Sequence, residues 1–591
     1  MRVARLGASN HVRPLSGARK EWSLNMRLSR LIVANFRNLQ NIDIPLSGGA
    51  VIVGENGSGK SNLLYALRLV LDASLSARQR TLTREDFSES LGLDPMGDGA
   101  VIEVSVEIDD FEDDPGLVAT LAGALIAGDP MRARLTYRFG PRDDQEEESP
   151  PAYQSSIYGG GDLQRRIGGE LRTYLHHVHM HALRDAEGDV ASWRRSPLRP
   201  LLEEVSRSTP AEELGRVAEA LESASEIVRG LPAVASATEA IEQQTAALVG
   251  ALKRLEPTLD LAPSDPQRTL RALRLYLDGA AQRNLSSASL GALNVLYIAL
   301  LEIELARLLA KGEIEHALIS IEEPEAHLHP HLQRRVFAGL LADDGPTRST
   351  VVATHSPHIV SVTPPRRLVI LREQDGGIVA HAASEAALSE AEWDDMARYL
   401  DATRSELVFA RKVLLVEGFA EQVLVPRLAR IDLDEHGVSV CAIHGIHFYS
   451  YVRFLDAIGT PFALITDGDP GAGSGRTGAD RIARLVEVID SGAEAEDLGL
   501  FHGETTFETD LFETSEANRE AMIEALLSFP WGRRVRAEIE EERDGDTLDA
   551  ESMLTYIERV SKGRYAQRLS ARVESLQPPH HLQRALDFLL G

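Results

Sequence analysis

Eight residues near the amino terminus have the composition of a phosphate-binding loop. They follow the apolar run Ala50–Val53 and read Gly54, Glu55, Asn56, Gly57, Ser58, Gly59, Lys60 and Ser61. An amphipathic segment, residues 62–71, comes next, so the order is strand, glycine-rich turn and helix. Backbone N–H groups of such a turn surround a triphosphate, the lysine reaches its β- and γ-phosphates, and the serine hydroxyl binds Mg²⁺. Because a chance match is rare in a chain with only six lysines, the segment predicts ATP binding.

A second apolar run, residues 317–321, ends in two acidic residues, Glu322 and Glu323. Beside a bound nucleotide, Glu322 would hold Mg²⁺, directly or through water, and Glu323 would orient the attacking water. An acidic pair after a strand is also common without any such role, so this pattern alone leaves both interpretations open. A third apolar run, residues 349–353, is followed by His355.

Acidic residues also follow apolar runs in the carboxyl-terminal third of the chain. Glu417 follows residues 413–416, and Asp467 and Asp469 follow residues 462–466. Ligands of such sheets bind at the carboxyl ends of the strands, so we expect these three side chains to converge. Carboxylates in one pocket repel each other, and a divalent cation relieves that repulsion. Mg²⁺ suits an all-oxygen site and can activate water against a phosphodiester.

Length and composition bound the class of protein. A chain of 591 residues with 43% hydrophobic residues is globular and long enough for about three or four domains. The sequence contains no run of 18 apolar residues, so no membrane-spanning helix is predicted. The single cysteine, Cys441, excludes an intramolecular disulfide. A cytoplasmic location is therefore expected. The net charge of −28 argues against a protein that coats DNA uniformly, although a local basic strip is enough for phosphate contacts.

Hydrophobic periodicity predicts how these residues are positioned. Alternating apolar residues predict strands near 28–35, 102–108 and 131–139, whereas residues 201–277 are rich in Ala, Leu and Glu with helical spacing. This helical insertion would pack on its own domain or pair with a second subunit. The expected organisation is a flexible leader (1–25), an ATPase in two parts (26–200 and 278–405) around the insertion (201–277), and a second α/β domain (406–591).

Two of these segments resemble motifs of a known ATPase class. The sequence EEPEAHLHP at 322–330 and ATHSP at 353–357 resemble the Walker B/D-loop and the H-loop of ABC-type ATPases related to chromosome-maintenance and recombination proteins. The resemblance implies that His355 senses the γ-phosphate. Residues 284–294, NLSSASLGALN, stand where that class carries its signature motif but depart from the usual LSGGQ. By resemblance, Ser287 and Gly291 would complete the ATP site of a second subunit, and a serine-rich helix cap is the alternative.

The carboxyl-terminal pattern resembles a TOPRIM domain. Glu417, Gly418 and Glu421 after one strand, then Asp467 and Asp469 after another, match its E-G-x-x-E and D-x-D motifs. With both resemblances in one chain, the sequence is similar to the OLD (overcoming lysogenization defect) family of nucleases, including the Gabija nuclease subunit. This similarity covers residues 26 to about 575.

The OLD resemblance assigns two further residues. Residues 505–511 resemble an additional acidic motif in which Glu508 helps to hold a second metal, and residues 562–567 resemble a late motif in which Lys562 stabilises the transition state. An exposed lysine at a helix end is the alternative reading of Lys562. The resemblance implies two metals, one held by Glu417 and Asp467 and the other held or shared by Glu421, Asp469 and Glu508.

The fold class that these observations predict is α/β: an ABC/SMC-type P-loop ATPase with a helical insertion, followed by a Rossmann-like TOPRIM domain. The predicted function is an ATP-binding, Mg²⁺- or Mn²⁺-dependent DNA endonuclease that acts as a homodimer or larger assembly, with a setting in anti-phage defence that rests on resemblance alone. A helicase partner is implied only for Gabija-type members. The alternative is a DNA-repair ATPase or clamp that binds DNA without cutting; the intact carboxylates and Lys562 argue against it.

Overall fold

The structure is a computed structural model. It describes residues 26–142 except 47, 152–181 except 164 and 168, 196–249, and 290–591 except 343, 375, 401–403, 446, 474 and 491, together with 259, 269, 273, 275, 285, 288 and 289. The predicted leader, most of residues 250–277 and Ser287 lie outside this set. Contacts divide the chain into two units, of which the smaller consists of Met180–Ile314 and Pro324–Leu332.

An antiparallel sheet forms the amino-terminal part of the larger unit. Its strands run in the order β2-β1-β4-β6-β5, and β7 also pairs with β6. The strands are β1 (Arg27–Phe36), β2 (Leu39–Pro45), β4 (Ile102–Asp109), β5 (Leu125–Ile126), β6 (Arg132–Pro141) and β7 (Tyr153–Gly159). Alternating apolar residues of β1 and β4 face the core in register, with Val33 opposite Val104 and Leu31 opposite Val106. The predicted alternation therefore sets the buried face of this sheet.

A second sheet carries the glycine-rich loop. Its order is β12-β11-β3-β10-β9-β8, and β11, β3, β10 and β9 are parallel neighbours. The strands are β3 (Ala50–Gly54), β8 (Leu175–Met180), β9 (His316–Glu322), β10 (Arg348–Ala353), β11 (Leu368–Gln374) and β12 (Gly377–Ala382). The first four residues of β3 and the first six of β9 are buried without alternation, as in a parallel sheet covered on both faces. Four parallel strands thereby end at one edge, where a ligand can bind.

A third sheet lies in the carboxyl-terminal part. It is fully parallel in the order β14-β13-β15-β16, with β13 (Lys412–Val416), β14 (Val438–Ala442), β15 (Phe462–Thr466) and β16 (Leu500–His502). Leu414 and Val416 of β13 and Ala463 and Ile465 of β15 belong to a core that the surrounding helices complete. This doubly wound arrangement puts the ends of β13 and β15 side by side.

Helices occupy the remaining regular structure of the described chain. They are α1 (Lys60–Leu71), α2 (Ala77–Arg80), α3 (Pro115–Leu121), α4 (Gly169–Tyr174), α5 (Leu198–Ser208), α6 (Ala211–Arg229), α7 (Pro232–Val249), α8 (Leu290–Lys311), α9 (Pro330–Ala342), α10 (Pro357–Val360), α11 (Glu390–Tyr399), α12 (Phe419–Leu428), α13 (Tyr449–Ala457), α14 (Gly478–Ile489), α15 (Phe507–Glu513), α16 (Glu516–Leu527), α17 (Arg533–Asp544), α18 (Ala550–Val560), α19 (Lys562–Leu569) and α20 (His580–Leu590). Among the residues described, none of these helices is long and apolar enough to cross a membrane.

The smaller unit is helical where it is described. Leu293 and Leu300 of α8 pack with Leu285, and Leu198 and Leu201 lie against this cluster. Most side chains described on α6 and α7 are exposed or half-buried. The helical character predicted for this part of the chain is therefore present through residue 249.

Candidate functional site

The turn between β3 and α1 has the backbone of a phosphate cradle. Gly59, the residue before α1, has a φ of 91°, which glycine adopts without strain. The Lys60 ammonium points into the loop, 3.0 Å from the carbonyl oxygen of Gly54 and 2.8 Å from that of Glu55. Of the other loop residues predicted to contact the nucleotide, Asn56, Gly57 and Ser61 are exposed and Gly54 is half-buried. Lys60 is thus held where phosphate oxygens could replace the two carbonyls as its partners.

Polar residues that the sequence analysis missed tie this loop to its neighbours. Asn38, in the turn between β1 and β2, donates to the carbonyl oxygen of Gly57 at 2.8 Å. Its own side-chain oxygen accepts a 2.8 Å hydrogen bond from Asn62, which in turn accepts one from Arg37 at 2.8 Å. Arg37 also pairs with Asp86. In the sequence, three of these polar residues lie beside the loop or in a tight turn, which is where residues that contact the loop can be sought. No spacing rule links them to one another.

The predicted acids and histidine of the ATPase lie along the same sheet edge. β10 is hydrogen-bonded between β3 and β9, so the loop, His355 after β10, and the Glu322–Glu323 pair at the end of β9 follow three adjacent parallel strands. The backbone of Glu323 donates to the carbonyl oxygen of Ala353 at 2.9 Å, and its side chain is exposed. The structure brings these residues to the edge that carries the loop, and their individual roles remain predictions.

The signature-like segment belongs to the smaller unit. Gly291 lies in the first turn of α8, where a Cβ atom would be only 2.5 Å from the carbonyl oxygen of His327. The Ser289 hydroxyl caps this helix by accepting a hydrogen bond from the backbone N–H of Ala292 at 3.2 Å. Ser289 is thus a helix cap, as the alternative interpretation proposed for this segment. Ser287 lies outside the described residues, and its contribution and that of Gly291 to a partner's ATP site stay predictions.

The carboxylates predicted to converge in the carboxyl-terminal sheet do so. Glu417 follows β13, and Asp467 and Asp469 follow the neighbouring parallel strand β15. One oxygen of Glu417, Oε1, accepts the backbone N–H of Asp467 at 2.9 Å and also the hydroxyl of Thr466. Asp467 Oδ1 accepts the backbone N–H of Phe507, the first residue of α15, at 2.9 Å. These contacts fix the acids relative to both strand ends.

Three side chains from separate helices complete this cluster. Glu421 of α12 is 8% exposed and Glu508 of α15 is 4% exposed, so both carboxyl groups are buried. Lys562 is the first residue of α19, and its Nζ lies 2.8 Å from Glu508 Oε2. Lys562 therefore stands at a helix end, as the alternative interpretation had it, but its ammonium pairs with a buried acid.

The electrostatics of the cluster show an excess of negative charge. Burial, reinforced by the neighbouring carboxylates, raises the pKa of Asp467 to about 8 and that of Glu421 to about 7. Burial opposes the charge of Lys562, but Glu508 and Asp467 outweigh it and raise the lysine's pKa. A buried set of carboxylate oxygens with too few positive charges is the donor set that Mg²⁺ and Mn²⁺ prefer. The residues therefore fit the divalent cations that a TOPRIM domain implies.

Arg481, on α14, is the residue of this cluster that the sequence analysis missed. It is 5% exposed and lies between two acids, with Nη2 3.2 Å from Glu417 Oε1 and Nη1 3.0 Å from Asp469 Oδ2. An arginine in an amphipathic helix carries no motif, so only the packing of α14 against the end of β15 shows its place.

The two sites of the larger unit are joined by a contact at the glycine-rich loop. Arg411, the residue before β13, forms a two-bond ion pair with Glu55, with distances of 2.6 and 2.7 Å. Arg372 of β11 donates to the carbonyl oxygen of Ala410 at 3.1 Å. A cavity of about 610 Å³ opens between these segments, lined by Gly54, Glu55, Asn56, Arg372 and Arg411. The loop that surrounds Lys60 is therefore in direct contact with Arg411, the residue before β13, and Glu417 follows the other end of that strand.

Two family models match this chain, and they define its class. Residues 50–361, more than half of the chain, match the family described as "AAA domain, putative AbiEii toxin, Type IV TA system". Residues 408–469 match the "Overcoming lysogenization defect protein-like, TOPRIM domain". The chain therefore belongs to this AAA-domain family and carries an OLD-like TOPRIM domain after it. The predicted fold class, a P-loop ATPase followed by a TOPRIM domain, is confirmed.

Curated relatives give the particular kind of protein. The OLD nuclease of Thermus scotoductus (strain ATCC 700910 / SA-01) is 27% identical over 459 residues, which are 75% of this chain and 82% of that protein. The endonuclease GajA of Bacillus cereus (strain VD045) is 21% identical over 488 residues, 78% of each chain. A solved structure, the C-terminal region of the Burkholderia pseudomallei OLD protein, is 28% identical with a TM-score of 0.28, covering 31% of this chain and 98% of that one. The predicted resemblance to OLD and Gabija nucleases is confirmed, and the chain is an ATPase-linked nuclease.

Proposed function

We propose that this protein is a divalent-metal-dependent DNA endonuclease whose cutting is regulated by ATP binding and hydrolysis. The observation that carries the proposal is the partly buried cluster of five carboxylates and one lysine around the ends of β13 and β15. Its members are Glu417, Glu421, Asp467, Asp469, Glu508 and Lys562. Cleavage of a nucleic acid is supported by the names of the relatives, a nuclease and an endonuclease, and that the nucleic acid is DNA belongs to this proposal.

In this proposal the acids hold two metal ions, with Glu417 and Asp467 serving one and Glu421, Asp469 and Glu508 serving the second or a shared position. Bound Mg²⁺ or Mn²⁺ would supply an activated water and stabilise the attacking and leaving oxygens. The hydrogen bonds to Glu417 and Asp467 hold these carboxylates in place before substrate arrives. Lys562 places a positive charge beside Glu508, where it can stabilise the negative charge that develops on the phosphate.

ATP would bind at the loop between β3 and α1. Lys60 exchanges its carbonyl partners for the β- and γ-phosphates, and Ser61 with Glu322 holds the accompanying Mg²⁺. Glu323 orients the attacking water, and His355 contacts the γ-phosphate at the same sheet edge. The ion pair between Glu55 and Arg411 supports a regulatory link, because it joins this loop to the strand that ends at Glu417.

A homodimer or larger assembly completes the proposal. Ser287 and Gly291 would face the ATP of a second subunit, and the helical segment 201–277 would form part of the subunit interface. The apolar side chains left exposed on this segment, Val205, Ile227, Leu231, Ile241, Leu259 and Leu273, support an interface there. A role in defence against phage belongs to this proposal and rests on the sequence resemblance to OLD and Gabija nucleases alone, and the similarities give no support for a helicase partner.

The test is cleavage of supercoiled circular DNA by the full chain with Mg²⁺, Mn²⁺ or EDTA. We expect nicked or linear product with either metal and none with EDTA. Asp467→Asn removes a central ligand and should abolish cleavage, whereas Asp490→Asn, a change in the exposed residue after α14, should not. A wild-type chain that binds DNA and never cuts it, with either metal and with or without ATP, would favour the clamp alternative.

A further inference from the structure

Arg481 uses its whole guanidinium group inside the carboxylate cluster. Nε donates to the Thr466 hydroxyl at 2.9 Å, and Nη1 donates to Asp469 Oδ2 and to the carbonyl oxygen of Arg476, both at 3.0 Å. Nη2 donates to Glu417 Oε1 at 3.2 Å and to the carbonyl oxygen of Asp467 at 2.6 Å. Five hydrogen bonds match the five N–H donors of an arginine, so a buried guanidinium of this kind is fully satisfied.

The bonds of Arg481 are selective for one oxygen of each acid. Glu417 Oε1 receives Arg481, the Thr466 hydroxyl and the Asp467 N–H, while Oε2 receives no hydrogen bond from the residues that the structure describes. Asp469 is engaged in the same way through Oδ2, and Oδ1 has no donor within the described part of the chain. Each carboxylate therefore keeps a single oxygen for another ligand.

The helix that carries Arg481 is locked against the turn between the two aspartates. The backbone N–H of Gly478, the first residue of α14, donates to the carbonyl oxygen of Gly468 at 2.8 Å. A Cβ atom on Gly478 would lie 2.3 Å from the carbonyl oxygen of Asp467. Thr477 and Asp480 form a capping box at the same helix end. These contacts hold the helix end that carries Arg481 close to the two aspartates.

We propose that Arg481 is a positioning residue that sets the cation preference of the nuclease site. Arg481 occupies one oxygen of Asp469, and together with the Thr466 hydroxyl and the Asp467 N–H it occupies one oxygen of Glu417. Both acids are thereby left to bind a metal through their other oxygen. Mg²⁺ and Mn²⁺ accept such monodentate ligands in compact octahedral sites, whereas Ca²⁺ needs more oxygens and often takes both from one carboxylate. The arginine thus favours the smaller ions and disfavours Ca²⁺. This inference rests on the proposed metal site and does not require that the site cut DNA.

The test is metal binding by the nucleotide-free full chain. Free Mn²⁺ is measured by its electron paramagnetic resonance signal, and Mg²⁺ or Ca²⁺ is added as competitor. Binding that Asp467→Asn removes defines the contribution of this site. The variants are Arg481→Gln and Arg481→Lys, with Arg484→Gln as the matched control, because Arg484 lies exposed on the same helix and donates to the backbone oxygen of Asp480.

We expect Arg481→Gln to shift the competition toward Ca²⁺ by at least about tenfold relative to Mg²⁺, since residues that orient metal ligands typically change affinity 10- to 100-fold. Arg481→Lys, which keeps the charge but not the five bonds, should give an intermediate shift, and Arg484→Gln none. An unchanged Ca²⁺-to-Mg²⁺ ratio would overturn the proposal, even if both affinities or the melting temperature fall, because a merely structural arginine would act on both ions alike. If Arg481→Gln does not fold, the ratio measured for Arg481→Lys decides. A wild-type chain without Asp467-dependent Mn²⁺ binding would overturn the metal site itself, whereas one that binds but never cuts would overturn only the proposed cleavage.

Discussion

At the scale of single residues, the proposed nuclease site contains more acidic than basic side chains. Five acids share a partly buried region with two cations, Lys562 and Arg481, and the two cations contact different acids. Arg481 pairs with Glu417 and Asp469, whereas Lys562 pairs with Glu508. Lys562 reaches the cluster from a helix end and is partly exposed, so it is the cation better placed to meet a phosphate.

Replacing Lys562 with Met should separate cutting from metal binding. We expect cleavage to fall about 100- to 1,000-fold, the usual cost of losing one charge-stabilising donor, while Mn²⁺ binding is retained because the acids are intact. Single-turnover cleavage and Mn²⁺ titration measure the two effects. Lys311→Met is the control, since that lysine pairs with Glu204 in the smaller unit. Equal losses of cleavage and metal binding would show that Lys562 only supports the fold.

The sequence predicts most of the residues at this scale but not all of them. Strand ends marked by acids are visible in the sequence, so Glu417, Asp467 and Asp469 could be found from spacing. Glu508 and Lys562 required a family resemblance, because they are far apart in the chain and belong to no local pattern. Arg481 had neither signal, and its role follows from tertiary packing alone.

At the scale of elements, the site depends on the close contact between α14 and the end of β15. Gly478→Ala would place a methyl group 2.3 Å from the carbonyl oxygen of Asp467. We expect a loss of stability of about 1–3 kcal/mol, typical of overpacking, and weaker metal binding because Asp467 and Asp469 shift. Chemical denaturation and Mn²⁺ titration check both effects. Gly471→Ala is the control, since a Cβ there has nothing within 4 Å; equal behaviour of the two variants would contradict the packing argument.

The first residue of β9 makes the ATPase sheet sensitive to acid. His316 is buried, with Nδ1 donating to the Pro346 carbonyl oxygen at 3.2 Å and Nε2 beside the Ser349 hydroxyl at 2.9 Å. Burial lowers the pKa of His316 to about 4, below the ordinary value of 6.5, although the bond to Pro346 opposes this. A base with a lowered pKa in the folded state contributes stability above pH 6.5 that is lost as the pH falls toward 4.

His316→Gln should therefore flatten the acid side of the stability curve. Between pH 6.5 and 4, protonation linked to this histidine should lower the wild type's free energy of unfolding by on the order of 3 kcal/mol. We expect the variant not to show this decrease. Urea denaturation at several pH values measures the difference. His329→Gln, a change at an exposed histidine, serves as the control and should keep the wild-type slope. Parallel curves for wild type and His316→Gln would refute the buried neutral imidazole.

Whether a strand can be predicted from the sequence depends on its length and on its pattern of apolar residues. The alternating strands β4 and β6 and the apolar strands β9, β10, β13 and β15 were all anticipated from their residues. β16 is only three residues long and is too short to show alternation. It is recognised as a strand only because it pairs with β15 at the edge of the sheet. The short hairpin of β11 and β12 was also missed, although β11 is the strand beside the glycine-rich loop.

At the scale of the whole chain, the contact between Glu55 and Arg411 is the feature that can join the two chemistries. Both side chains are more than half exposed, so the pair adds little to stability. Lys60 contacts the backbone oxygen of Glu55, so a change of partners at Lys60 on nucleotide binding acts directly on the residue that holds Arg411. Arg411 directly precedes β13, whose other end leads to Glu417.

Arg411→Ala should reduce the effect of ATP on cleavage while leaving ATP hydrolysis close to the wild-type rate. The charge-swapped pair Glu55→Arg with Arg411→Glu should restore part of that effect, because the ion pair can re-form. Cleavage rates with and without ATP, measured beside phosphate release, give the comparison. Arg398→Ala, which breaks an exposed pair with Asp395, is the control. An unchanged ATP response in Arg411→Ala would exclude this contact as the link.

The proposed function requires two separate sites in one chain, one for ATP hydrolysis and one for metal-dependent cleavage of DNA. The most direct measurement follows plasmid cleavage and phosphate release together for wild type, Asp467→Asn and Lys60→Ala, with Mg²⁺ and ATP present. We expect Asp467→Asn to hydrolyse ATP near the wild-type rate without cutting, and Lys60→Ala to lose hydrolysis and the ATP dependence of cutting. If Asp467→Asn cuts DNA as fast as the wild type, the carboxylate cluster is not the nuclease site, and the proposed assignment of two separate sites is wrong.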